Sequence, residues 1–96
     1  MDDSAIDVLV SGAVVDIGHH QVPVPASVQA ALEAAGGLAR LPQMWPAGPI
    51  TIRRPLGNRK VDVWRFNLDD PEPQAWKTFV LQSGDLVVFA WHVEEL

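Results

Sequence analysis

The sequence contains no cysteine. Disulfides, thiolate catalysis, cysteine-ligated zinc and iron–sulfur clusters are therefore excluded. An excess of basic residues is also lacking. The formal net charge is −5, which argues against general nucleic-acid binding, since that needs a net basic footprint. No apolar run approaches the roughly 20 residues needed to span a bilayer. Met1, Asp2, Asp3 and Ser4 begin the chain, with neither the basic nor the apolar region of a secretory signal. The expectation is a soluble, cytoplasmic protein with no membrane span. There is no P-loop, no Gly-rich dinucleotide fingerprint and no serine-nucleophile motif. Repeats and low-complexity segments are absent as well. An enzyme is thus the least supported class, and no catalytic residue or cofactor is assigned.

What is present suffices for one modest core. Ninety-six residues with 48% hydrophobic content read as a single domain over 1–96. The strongest local signal lies at residues 27–37. Val28, Ala31, Leu32 and Ala35 recur at i, i+3, i+4 and i+7, one apolar stripe of an α-helix. Ser27 stands where an N-cap is wanted, and Pro23 and Pro25 keep the chain extended before it. Gly36 can take the left-handed conformation that closes a helix. So short a helix needs a surface to lie on.

The remainder reads as that surface, a sheet. Residues 5–15 are rich in β-branched side chains, with Ile6, Val8 and Val10 alternating with Asp7, Leu9 and Ser11. Gly12 interrupts this pattern, as a bulge or a close backbone approach does. A turn at 16–19 leads to a second, antiparallel strand at 20–24. Residues 38–49 carry Pro42, Pro46, Gly48 and Pro49 and read as irregular. Two readings fit them: a crossover loop plugging the sheet edge, or a binding loop displaying Trp45. A third strand is expected at 50–54 and a fourth at 60–68, joined by turn chemistry at 55–58. Alternation in the fourth strand puts Trp64, Phe66 and Leu68 on one face. Val61, Val63, Arg65 and Asn67 fall on the other. Residues 69–73 form an acidic loop or a capped turn leading to Trp76. Residues 78–81 read as a short edge strand, and Ser83, Gly84 and Asp85 as a tight turn. Residues 86–93 are apolar enough for a central strand covered on both faces. Leu86, Val88, Phe89 and Trp91 are expected under the helix.

The fold class is therefore α+β, a mixed sheet of four to five strands with one helix packed across it, the β-grasp arrangement. Three segments make the likeness more specific. They are residues 10–18, with Gly12 and Gly18; the helix ending in Gly36 and Gly37; and residues 81–89, with Gly84 and Asp85 before a Val-rich strand. With Arg53 and Arg54 ending the third strand, this order resembles the SLBB family, the soluble ligand-binding β-grasp domains. Ile17 and Ser83 stand where that family usually has proline. The resemblance covers roughly residues 5–92. It implies a ubiquitin-like fold and a ligand- or partner-binding role, since relatives occur in polysaccharide-export, cobalamin-binding and respiratory flavoprotein contexts. Sulfur carriers and conjugated ubiquitin-like proteins of this fold need a terminal Gly-Gly. The sequence here ends in Val93, Glu94, Glu95 and Leu96, so that chemistry is not expected.

Two further groups bear on function. His19 and His20 are adjacent and point to opposite faces of a strand. His92 would meet one of them only from a neighbouring strand, so no metal site is expected. Arg53, Arg54, Arg59, Lys60 and Arg65 are five of the seven basic residues, all in the third-and-fourth-strand hairpin, with Trp64 among them. One reading is a solvated face paired with the acidic loop. The other is a patch for a carboxylate, phosphate, acidic sugar or acidic partner surface. Arg53, Arg54, Arg59, Arg65, Trp64 and Trp45 are the candidate binding residues. One helix cannot cover both faces of a sheet, so apolar surface should remain for a partner. The expectation is a non-catalytic binding module, for a partner protein or a saccharide-like or anionic ligand. The alternative is a self-associating subunit, a homodimer through the apolar sheet surface.

Overall fold

The structure is a computed structural model that describes residues 5–68 and 70–93. These form β1 (Ala5–Gly12), β2 (Gly18–Pro23), α1 (Val28–Ala34), β3 (Met44–Gly57), β4 (Lys60–Asn67), α2 (Gln74–Lys77) and β5 (Leu86–Val93). The strands make one mixed sheet in the order β2-β1-β5-β3-β4. Neighbours are antiparallel except β1 and β5, which run parallel at its centre. The domain is α+β, as expected. The acidic termini and Asp69 lie outside the described residues.

The local signals of α1 act as read. Ser27 Oγ accepts from the Ala30 N–H at 3.1 Å. Gly36 adopts φ +86°. The Gly36 and Gly37 N–H groups donate back to the carbonyls of Glu33 and Leu32 at 3.0 and 2.9 Å, satisfying the helix end. Val28, Ala31 and Ala35 are fully buried, whereas Leu32 is only half-buried at the margin of the core.

Alternation then sorts the strands into two faces. Val8, Val10, Val22, Ile50, Ile52, Val87 and Phe89 point to the helices and form the core with Val28, Ala31, Ala35 and Trp76. Trp64, Phe66, Leu68, Phe79 and Trp91 pack around it. Within β5 this corrects one expectation: Phe89 and Trp91 lie under the helices together with Val87. Leu86 and Val88 belong to the opposite face.

Other boundaries also differ. β1 ends at Gly12, not near residue 15. Gly12 has φ +90°, and a Cβ there would sit 2.0 Å from the Phe89 carbonyl oxygen. The chain peels away and the Ala13 N–H donates to that same oxygen at 2.7 Å. β3 begins at Met44, not Ile50. Trp45 pairs with His92 and Pro46 with Trp91, ahead of a bulge between Pro46 and Ile50. β4 pairs with β3 only as far as Pro49, so residues 44–46 are an edge, where proline is tolerated. The irregular connection therefore shrinks, and Trp45 sits in a strand, half-buried. The β3–β4 turn is Asn58 and Arg59, both at positive φ (51° and 62°), the two-residue hairpin geometry. Residues 78–81 are not a strand. They make one isolated bridge, Ser27 to Val80, while the Val28 N–H donates to Phe79 O and the Leu81 N–H to Ala26 O.

Candidate functional site

The basic hairpin is divided by the sheet. Ile50, Ile52 and Arg54 alternate onto the helix face, and Trp64 joins them from β4, opposite Ile52. Arg54 is a strut there. Its Nε donates to Asp85 Oδ1 at 3.0 Å, and its Nη2 to Asp85 Oδ2 at 2.9 Å and to the Val80 carbonyl at 3.2 Å. The guanidinium lies 4.8 Å from the Trp64 ring centroid and 5.9 Å from that of Phe79. Such a stack over aromatic faces suits a weakly hydrated planar cation. Asp85 is fully buried and also accepts from the Gln82 N–H at 2.8 Å, closing the turn that starts β5. The hydrogen bond to Asp85 raises the Arg54 pKa above its ordinary value. Burial opposes this, and the charges of Asp85 and Asp62 add to the rise. Arg54 and Trp64 thus brace the fold on the core side.

Sequence reasoning placed Arg54 in the surface patch. The signal against that was available, since Arg54 is two residues from Ile52 and four from Ile50 on one strand. Its partner was not readable, because Asp85 is 31 positions away.

The other face is built from the remaining residues of each strand. β5 contributes Leu86, Val88 and Ala90, beside Leu9 and Ser11 of β1 and Thr51 of β3, all half-buried. β3 and β4 add Arg53 opposite Val63, and Arg65 opposite Thr51. Val61 and Val63 are 43% and 46% exposed. Toward β2 stand Asp7 and His19, with Nδ1 to Oδ2 at 3.5 Å. Both helices pack on the opposite side. Among the described residues, no buried apolar cluster forms on this face, and no pocket is present.

The remaining candidates lie at its two ends. Arg59 and Lys60 occupy the exposed β3–β4 tip. Trp45 stacks on His92 with ring centroids 4.8 Å apart. Trp45 pairs with His92 and Arg53 with Leu86. Six residues of strand therefore separate Trp45 from Arg53, about 20 Å at 3.3 Å per residue. One small ligand cannot touch both. The histidines are also separate: His20 Nε2 is 2.7 Å from the Asp16 carbonyl oxygen, and His19 lies beside Asp7. Among the described residues no three His, Asp or Glu side chains converge as a metal site needs.

No protein-family model matches the chain significantly, and no curated protein or solved structure does so either. Among the described residues no helix is long and apolar enough to cross a membrane.

Proposed function

We propose that this chain is a non-catalytic binding module of β-grasp architecture, similar to SLBB domains, whose uncovered sheet face engages a partner protein. Strand order β2-β1-β5-β3-β4 with a parallel central pair and α1 laid across one side supports the β-grasp reading. The roles of Gly12, Gly36 and the Gly84–Asp85 turn, at the positions of the SLBB likeness, support it further.

The observation that carries the functional reading is the open face itself. Leu9, Leu86, Val88 and Ala90 form a half-buried apolar strip, and Val61 and Val63 are exposed on the same face two strands over, beyond β3. Contiguous exposed apolar surface rimmed by charge is what interaction sites look like. Arg53 stands between the strip and Val63, and Arg65 stands on the edge strand β4. A protein suits this surface better than a small anionic or saccharide-like ligand. The face has no pocket among the described residues, and Arg53 and Trp45 are too far apart to converge on one small molecule. The basic tip at Arg59 and Lys60 remains the place where an anionic group of the partner would dock.

Affinity capture with Val88→Asp as the comparison tests this reading. Any protein bound through the face is lost with Val88→Asp and kept with Glu33→Lys, on the exposed side of α1. Identical captured proteins from both variants would remove the face from consideration.

A further inference from the structure

We infer that the partner this face fits is a second copy of the chain, stacked sheet to sheet about a two-fold axis parallel to β5. The inference rests on the binding-face reading above and names its occupant.

Two features of the face argue for it, and a third sets its strength. The first is its symmetry. β5 is the middle strand of five, with β1 and β2 on one side and β3 and β4 on the other. A two-fold axis along β5 therefore lays β5 on itself, β1 on the partner's β3, and β2 on the partner's β4. The apolar strip of Leu86, Val88 and Ala90 then meets its own copy at the centre of an isologous contact.

The second feature is charge. The β3–β4 half carries Arg53 and Arg65 on this face, with Arg59 and Lys60 at the adjoining tip. The β1–β2 half carries Asp7 beside His19. The axis along β5 sets each acidic half over a basic half. Leu9 and Arg53 both stand level with Leu86. Asp7 is two residues beyond Leu9 toward the β3–β4 tip, so the partner's Arg53 comes within side-chain reach of it. A two-fold axis running across the strands would instead set β3 and β4 on their own copies, Arg over Arg, and is disfavoured. Charge thus selects one of the two ways a sheet can stack on itself.

The third feature is size. Five strands spaced about 4.8 Å apart span roughly 19 Å, and the shared strand segments run about 20 Å. Such a contact covers roughly 400 Å² of sheet per copy, about half of a standard specific interface, which points to a weak dimer seen in the upper micromolar range. Two sheets stacked in this way bury their inner faces as a sandwich does.

The test is sedimentation equilibrium of the full chain at micromolar concentration, with charge-swapped variants. Wild type is expected to dimerise, and Val88→Asp to be monomeric with an unchanged circular-dichroism spectrum. Asp7→Arg and Arg53→Asp are each expected to weaken the dimer about tenfold or more, since both create like-charge pairs across the axis. Mixing those two variants restores a heterodimer, because opposite charges then meet at both of its symmetry-related contacts. The stated axis predicts both the loss in each variant alone and the rescue, whereas an axis across the strands predicts no loss in either variant alone. A wild-type monomer throughout the micromolar range overturns the second-copy assignment and leaves the binding face to the capture comparison. A dimer that tolerates Val88→Asp, or variants that fail to rescue each other, overturns it equally.

Discussion

Asp85 is a fully buried carboxylate with three donors on it: Arg54 Nε, Arg54 Nη2 and the Gln82 N–H. Removing one partner of a buried pair leaves the other charge uncompensated, which costs about 3–5 kcal/mol. Asp85→Ala and Arg54→Ala are each expected to destabilise the domain by that amount in urea unfolding, far less than additively when combined. A loss within experimental error for either would show that the strut does not brace β5. The Arg54 pKa is raised in the folded state. The stabilisation from its charge is therefore full below the ordinary arginine value and lost only in strong alkali, so it is flat across neutral pH. Leu32→Ala is expected to cost about 1–2 kcal/mol, below the roughly 2–5 of fully buried leucines, because the side chain sits at the edge of the core. Trp76 is the converse case. It is buried against Phe89, yet among the described residues its Nε1 has no hydrogen-bond partner, so its value to the fold is its ring.

At the scale of elements, α1 and the β3–β4 hairpin illustrate two kinds of local rule. The Ser27 cap is made by its side chain alone, and Ser27→Ala is expected to cost about 1 kcal/mol, measurable by thermal unfolding. The hairpin turn holds Asn58 and Arg59 at positive φ. Asparagine suits that geometry and glycine normally follows it. Arg59→Gly is therefore expected to raise stability by roughly 0.5–1 kcal/mol in the same assay. An arginine at a strained tip fits a contact made by its charge. A neutral or destabilising Arg59→Gly would mean that the arginine supports the fold instead. Both turn positions stand beyond the Pro55 to Gly57 stretch, where the turn composition begins. The bulge between Pro55 and Gly57 moves the reversal along the chain.

At the scale of the whole molecule, both helices among the described residues lie on one side of the sheet, and the other side carries neither. If a second copy covers it, the melting temperature rises with protein concentration, since mass action stabilises whatever binds only the folded state. Scanning calorimetry over a hundredfold concentration range is expected to show that rise in wild type and not in Val88→Asp. The salt response of such a dimer is expected to be modest, because its Asp7–Arg53 contacts join side chains exposed in the single chain.

Local chemistry alone determined the centres of several elements. The α1 stripe, its Ser27 cap and its Gly36 terminus, the alternation in β1 and β4 and the Gly84–Asp85 turn all act within a few residues of chain. They are legible for that reason. Tertiary structure decided which side of each element became interior. Arg53 and Arg54 are neighbours of the same type, yet one is a surface group and the other a strut, because Asp85 and Trp64 wait on only one side of β3. It also decided that residues 44–46 join β5 as an edge strand, since the missing β4 neighbour leaves room for Pro46. The open face arose in the same way. Its residues are scattered through all the strands, and only pairing across long sequence distances assembles them into one surface.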